Sequence, residues 1–253
     1  TFKAYWLHGN VTDNSIEVLN EMGYKVDTTS IQIAGFVNGM PYYGIPVDNQ
    51  GNFKIGIQEE DLENGIFEVS PMPIDIATSQ NLYMPPRYFF IKEGTPYHSV
   101  TLDKDEMSLG ENINATISVN NVIGSSFKTT LNFFKAFEVM DVRVNAQLQE
   151  FLDKNGYEVK IDKRIFGYST RELGLNIELV DKDGNPVNIP EDMALVDVEL
   201  KLAYDAETEF YKEYIQCQGM EVKDAEGNPV DISYNGTYEG VKIKPKTSTL
   251  KTF

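Results

Sequence analysis

Apolar and polar positions alternate with a period of two along most of this chain. Ile113, Ala115, Ile117 and Val119 interleave with Asn112, Asn114, Thr116 and Ser118, which predicts a strand with one face in a core and one in water. The same alternation predicts strands at Tyr157-Val159-Ile161, at Leu173-Leu175-Ile177-Leu179 and at Ala194-Val196-Val198-Leu200-Leu202. Helix is scarce. Residues 146–155 place Leu148, Phe151 and Leu152 on one face with Gly156 at the stop, and residues 15–22 place Ile16, Leu19 and Met22 together with Gly23 after them.

The motif D-x-x-G-N occurs at residues 48–52, 181–185 and 224–228, each time between apolar segments. Asp accepts backbone hydrogen bonds at the first turn position and Gly supplies the positive φ of a type I turn with a bulge, so all three predict hairpins. Pro186 and Pro229 follow two of them and suit a strand start or an edge. Short strands at this spacing predict an all-β chain built from two β-sandwich domains in tandem. A boundary is expected at Lys92-Glu93-Gly94-Thr95-Pro96, dividing residues 1–95 from 96–253.

Composition narrows the classes. With 253 residues, 41% hydrophobic and 24% charged, the chain can bury two cores. Its 22 basic and 39 acidic residues give −17, and no basic cluster could neutralise a run of phosphates, so nucleic acid is not an expected partner. No apolar run reaches the ~20 residues that span a bilayer, so membrane insertion is not expected. The chain opens on Thr1-Phe2-Lys3-Ala4-Tyr5-Trp6, which reads as the inside of a strand and implies a piece of a longer polypeptide. Cys217 is the single cysteine and shares a predicted strand face with Ile215. It reads as a buried structural thiol rather than a nucleophile, since no His, Asn or Asp pattern accompanies it.

Candidate chemistry adds little. Asp181-Lys182-Asp183-Gly184-Asn185 tempts a calcium reading, but Gly stands fourth where such a loop needs it sixth, and Pro186 occupies the sixth position. G-x-S-x-G, H-E-x-x-H, phosphate-loop and dinucleotide motifs do not occur. His8 and His98 read as hydrogen-bonded surface or strand-end residues, and the carboxylates of Glu59-Glu60-Asp61 and Asp103-Lys104-Asp105-Glu106 as solvated loops. No catalytic residue, metal or cofactor is therefore expected, and the chain reads as a non-enzyme. Aromatic rings offer the candidate binding residues: Tyr42, Tyr43, Tyr83 and Tyr88 stand in or beside turns. They would stack on sugars or anchor a protein if exposed, or pack between sandwiches if buried.

From Val100 onward the order of features resembles a cohesin-type domain. Leu109-Gly110-Glu111-Asn112 leads into the alternating strand, Asn121-Val122-Ile123-Gly124 precedes a strand at 127–134, and Phe137-Glu138-Val139-Met140-Asp141-Val142 follows. The closing match runs from Met193 to Leu202, through Asp224-Ala225-Glu226-Gly227-Asn228, to Gly240-Val241-Lys242-Ile243. Residues 1–95 are similar to the immunoglobulin-like or fibronectin type III-like modules of large secreted subtilisin-like proteases of Gram-positive bacteria, through Leu7-His8-Gly9-Asn10-Val11-Thr12-Asp13-Asn14 and Val47-Asp48-Asn49-Gln50-Gly51-Asn52-Phe53. These resemblances imply a non-catalytic binding or spacer pair, extracellular or cell-wall associated. Its implied partners are other domains of the parent chain or a dockerin-like module, with carbohydrate as the alternative ligand.

Overall fold

The computed structural model describes the chain except residues 1–3, 22, 38–39, 63–64, 83–87, 135, 167–169, 204–211 and 244–253. Its internal contacts divide it into two compact units, Thr1–Thr95 and Pro96–Phe253. The elements are almost all strands, as the period-two pattern predicts, and neither α-helix is long and apolar enough to cross a membrane.

The first unit contains β1 (Ala4–Asn10), α1 (Asp13–Glu21), β2 (Ile31–Val37), β3 (Met40–Pro46), β4 (Asn52–Gln58), β5 (Ile66–Pro73) and β6 (Tyr88–Ile91). β1 and β4 form one antiparallel pair, and β3-β2-β5-β6 form an antiparallel sheet. Ile31, Ile33, Ile55, Ile57, Ile66, Phe67 and Val69 are buried, and Leu19 of α1 with them. Asn20 closes the helix exit by accepting from Val26 N and donating to Val26 O.

The second unit contains β7 (Tyr97–Leu102), β8 (Glu106–Met107), β9 (Asn112–Asn120), β10 (Ser126–Phe134), β11 (Phe137–Val144), α2 (Ala146–Asn155), β12 (Glu158–Phe166), β13 (Thr170–Val180), β14 (Met193–Leu202), β15 (Lys212–Lys223), β16 (Pro229–Val230) and β17 (Glu239–Ile243). One sheet runs β12-β13-β10-β15-β17-β8 with β16 attached to β15, and the other runs β11-β14-β9-β7. Their inward residues form a single core: Phe127, Leu131, Leu173, Ile177 and Ile215 from one, Ile113, Ile117, Val119, Val198 and Leu200 from the other. This is a β-sandwich. α2 begins with the Asn145 side chain accepting from Gln147 N and ends at left-handed Gly156, with Leu148 and Leu152 in the core.

The three D-x-x-G-N turns are superimposable in their bonding. In each, the Asp N donates to the Asn carbonyl at 2.8–2.9 Å, the Gly N donates to the Asp carbonyl at 3.0 Å, and one carboxylate oxygen accepts two further amides. Gly51, Gly184 and Gly227 have φ of 83°, 85° and 85°. Two of the three meet the hairpin expectation and one does not. Residues 224–228 join the paired antiparallel β15 and β16, and residues 181–185 are closed by a single antiparallel bridge between Val180 and Pro186. Residues 48–52 instead carry the chain from β3 to β4, which belong to different sheets.

One correction concerns strand phase, and one expected strand lies at a sheet edge. Ala194 does not share the inward face of Val196, Val198, Leu200 and Leu202. A bulge between Ala194 and Val196 inserts Leu195, which turns Met193 and Leu195 into the core and leaves Ala194 half-buried. Val159 and Ile161 are only partly buried, because β12 is an edge strand with a neighbour on one side alone.

Candidate functional site

The outer face of β12-β13-β10-β15 is built from residues that alternate with the core positions. Strand register lines them up in rows: Asp162 opposite Asn176, Asn176 opposite Lys128, and Lys128 opposite Glu221. The next row runs from Arg164 through Gly174 to Thr130. There the ladder with β15 breaks, since Gln218 and Gly219 together face Thr130 between the pairs Thr129–Met220 and Leu131–Cys217. Gly219 takes φ of 61° to make this bulge, and the buried Thr129 hydroxyl secures it by donating to Gly219 O at 2.6 Å.

Two glycines in this second row, Gly174 and Gly219, remove side chains that would stand up from the sheet. The outcome is a hollow of about 690 Å³ whose lining includes Thr130, Gly174 and Gly219 on its floor and Phe166 and Tyr234 on its rim. Phe166 packs over Gly174 and Tyr234 over Gly219, each ring 3.3 Å from where a Cβ on that glycine would stand. Phe166 is 41% exposed and Tyr234 67%. Lys128, Lys163 and Arg164 line it against Asp162 and Glu221, so the hollow is locally cationic in a chain of net charge −17.

The opposite outer face, on β11-β14-β9, is closed by its own hydrogen bonds. Asp197 accepts from Thr116 Oγ1 at 2.6 Å, from Asn114 Nδ2 at 3.3 Å and from Asn145 Nδ2 at 3.1 Å. Glu199 accepts from Asn112 Nδ2 and pairs with Arg143.

The sequence-derived candidates are scattered by the fold. Tyr42 and Tyr43 lie in β3 rather than in a turn, with their side chains outside the described residues, and Tyr83 lies outside the described residues altogether. Tyr88 opens the edge strand β6 opposite Val69 and is 56% exposed, so it does not pack as a core ring. Trp6, which no motif picked out, is 57% exposed on the outer side of β1. Its ring lies over Gly56, and Lys54 Nζ stands 3.9 Å from the ring centroid. A smaller hollow of about 250 Å³ is lined by residues that include Tyr5, Glu59, Phe90, Ile91 and Lys92.

The remaining polar candidates have structural duties. Asp61 accepts from Gln58 N, Asp103 from Asn114 N, and Glu106 pairs with Lys242. Asp181 is held below the usual carboxylate range, first by the Asn185 N–H and then by the Asn185 side chain and the amides of Asp183 and Gly184. Both of its oxygens are therefore occupied within the turn. Among the described residues no group of three or more His, Cys, Asp or Glu is placed to hold a metal. Cys217 is buried, and burial pushes its thiol up to about 12, an inert thiol as expected. His8 is exposed; His98 is a hydrogen-bonded strand-end residue, second in β7, but it does not lie at the surface: it is 1% exposed, beneath residues 233–237.

No protein-family model and no curated protein matches the chain. Similar solved structures include a non-cellulosomal cohesin from the archaeon Archaeoglobus fulgidus, 20% identical with a TM-score of 0.41, covering 60% of this chain and 94% of that one. A cohesin module of a family 33 glycoside hydrolase from Clostridium perfringens is 14% identical at TM-score 0.43, covering 60% and 98%. A type I cohesin–dockerin complex from Clostridium thermocellum gives 17% identity and a TM-score of 0.43, covering 59% and 95%. The sandwich assignment stands on the strand order and burial above.

Proposed function

We propose that the second unit is a non-catalytic protein-attachment module and that its partner, a dockerin-like module, docks on the outer face of β12-β13-β10-β15. The observation that carries this is the hollow itself. A sheet face normally presents a side chain at every second residue; here two glycines and a bulge open it, while exposed Phe166 and Tyr234 flank the gap. An aromatic rim around a recess is the arrangement in which a few contacts supply most of a protein–protein binding energy. Lys128, Lys163 and Arg164 favour a partner that brings a carboxylate. The resemblance of residues from Val100 onward to cohesin-type domains supports the same reading.

In this reading residues 1–95 act as an immunoglobulin-like or fibronectin type III-like spacer. The pair belongs to an extracellular or wall-associated multidomain bacterial protein, such as a secreted protease that carries it as an accessory region. Calorimetric titration of the chain with a panel of type I and type II dockerin modules tests the attachment role. Saturable binding to one of them supports it, and none to any leaves only the spacer role.

Exposed Trp6 and Tyr88 favour a second reading, in which the first unit retains glycans by ring stacking. Retardation in polysaccharide affinity gels that Trp6→Ala and Tyr88→Ala abolish would establish it; unretarded wild type would remove it.

A further inference from the structure

His98 lies in β7 at the edge of the four-stranded sheet, and residues 231–238 cross directly over it. Ser233 N donates to Pro96 O at 2.8 Å, Thr237 N to His98 O at 3.0 Å, and Val100 N to Thr237 O at 2.9 Å. Ser99 and Thr237 form a parallel bridge. Gly236 permits this approach, because a Cβ there would stand 2.2 Å from both His98 Nδ1 and His98 O. The imidazole is thus enclosed by backbone.

Its two nitrogens are treated unequally. Nε2 lies 3.3 Å from the Tyr234 carbonyl, which can only accept, so the neutral ring carries its hydrogen on Nε2. Nδ1 is buried and, among the described residues, has no hydrogen-bond partner. Protonation would place an N–H and a positive charge at that orphan position, against Gly236, where nothing accepts.

Among the described residues no neighbouring charge compensates. β9 opposes His98 with Val119 and carries no titratable residue. Tyr97 lies on β7 itself, and Asp231, Tyr234 and Tyr238 lie on the crossing segment. On β17, Glu239 accepts from Leu102 N and Lys242 pairs with Glu106; the described titratable side chains of β15 are Tyr214, Cys217, Glu221 and Lys223. None of these meets Nδ1.

The same crossing supplies the rim of the hollow, since the Tyr234 whose carbonyl meets His98 also lays its ring over Gly219. We propose that His98 is a positioning residue for Tyr234: as the neutral imidazole it anchors the 231–238 crossing, and its protonation lets the crossing lift and takes Tyr234 off the hollow. The consequence for docking rests on the reading of the hollow given above; the latch itself does not.

The sign follows from linkage. Burial holds His98 below its ordinary value of 6.5, against the smaller opposing effect of the Tyr234 hydrogen bond. The lifted state then binds the proton more readily than the closed one, and lifting is favoured as pH falls below 6.5.

Native-state amide exchange of the full chain from pH 7.5 to 4.5, with imidazole shifts followed by NMR, tests this without any partner. Protection of the Val100 and Thr237 amides should fall by up to about tenfold per pH unit below the ordinary histidine value, in step with the His98 resonance, while the Ile117 amide holds. His98→Gln, which keeps a donor at the Nε2 position and takes no proton, should give a flat profile. A flat wild-type profile, or one that His98→Gln reproduces, overturns the latch. If that variant does not fold, loss of Thr237 protection at a pH unrelated to the imidazole titration does so. A flat profile in a chain that still binds a dockerin removes only the latch, and a working latch in a chain that binds none removes only the docking.

Discussion

The ring of Tyr234 rests on Gly219: its Cε2 lies 3.3 Å from the point where a Cβ on that residue would stand, and Gly219 holds φ at 61°. Gly219→Ala therefore meets both a left-handed backbone and an aromatic ring. It should cost about 1–2 kcal/mol of second-unit stability in urea denaturation. Tyr234→Ala, which removes an exposed ring, should stay within about 0.5 kcal/mol. Equal costs would mean that the bulge is not held in this conformation.

The three turn glycines share a φ near 85° but differ in what surrounds them. Gly184 and Gly227 face open space, whereas a Cβ on Gly51 would stand 2.7 Å from Val11 O, a backbone atom that cannot swing aside as the end of a side chain can. Gly184→Ala and Gly227→Ala should each cost about 1 kcal/mol, and Gly51→Ala clearly more. Chemical denaturation of the three variants checks the order.

Cys217 should resist alkylation. Its thiol sits in the core and is pushed up to about 12, so at pH 8 iodoacetamide should label it only through unfolding. Labelling at the rate of a free thiol in the native chain would contradict its burial.

Acid should act on the two units in different ranges. Asp75 is buried and accepts from Lys25 N, Ala77 N and the Thr78 hydroxyl; its carboxyl is lowered from 3.8, chiefly by the Lys25 amide. A lowered carboxylate stabilises above its unfolded value and loses that contribution only as pH falls through its folded one. The first unit should thus hold until pH falls below about 4, while amides beside His98 lose protection from 6.5 downward. Residue-resolved exchange separates the two; a common onset in Lys25 and Thr237 would contradict the assignment.

What was legible in the sequence was local. Asp48, Asp181 and Asp224 each find their amide partners within four residues, and Ile113 to Val119 alternate over a strand without a bulge. The phase error at Ala194 arose because a bulge is a property of the pair β9–β14, invisible in β14 alone. The hollow was unreadable for the same reason: Gly174 and Gly219 matter only once register sets both against Thr130. The strand-end position of His98 is legible, but its burial is not, because the carbonyl it meets belongs to Tyr234, 136 residues away. Tyr42 and Tyr43 read as residues in or beside a turn from Pro41 and Gly44, and the backbone places them within β3.

The central claim is that a partner docks on the outer face of β12-β13-β10-β15. Its most direct measurement is calorimetric titration of a dockerin module that binds the wild-type chain into two surface variants of it. Phe166→Ala, at the rim of the hollow, should weaken binding by about tenfold or more, while Met140→Ala, 50% exposed on β11 of the opposite sheet, should leave it unchanged. Loss of affinity in Met140→Ala with none in Phe166→Ala would place the interface on the other face and contradict the account.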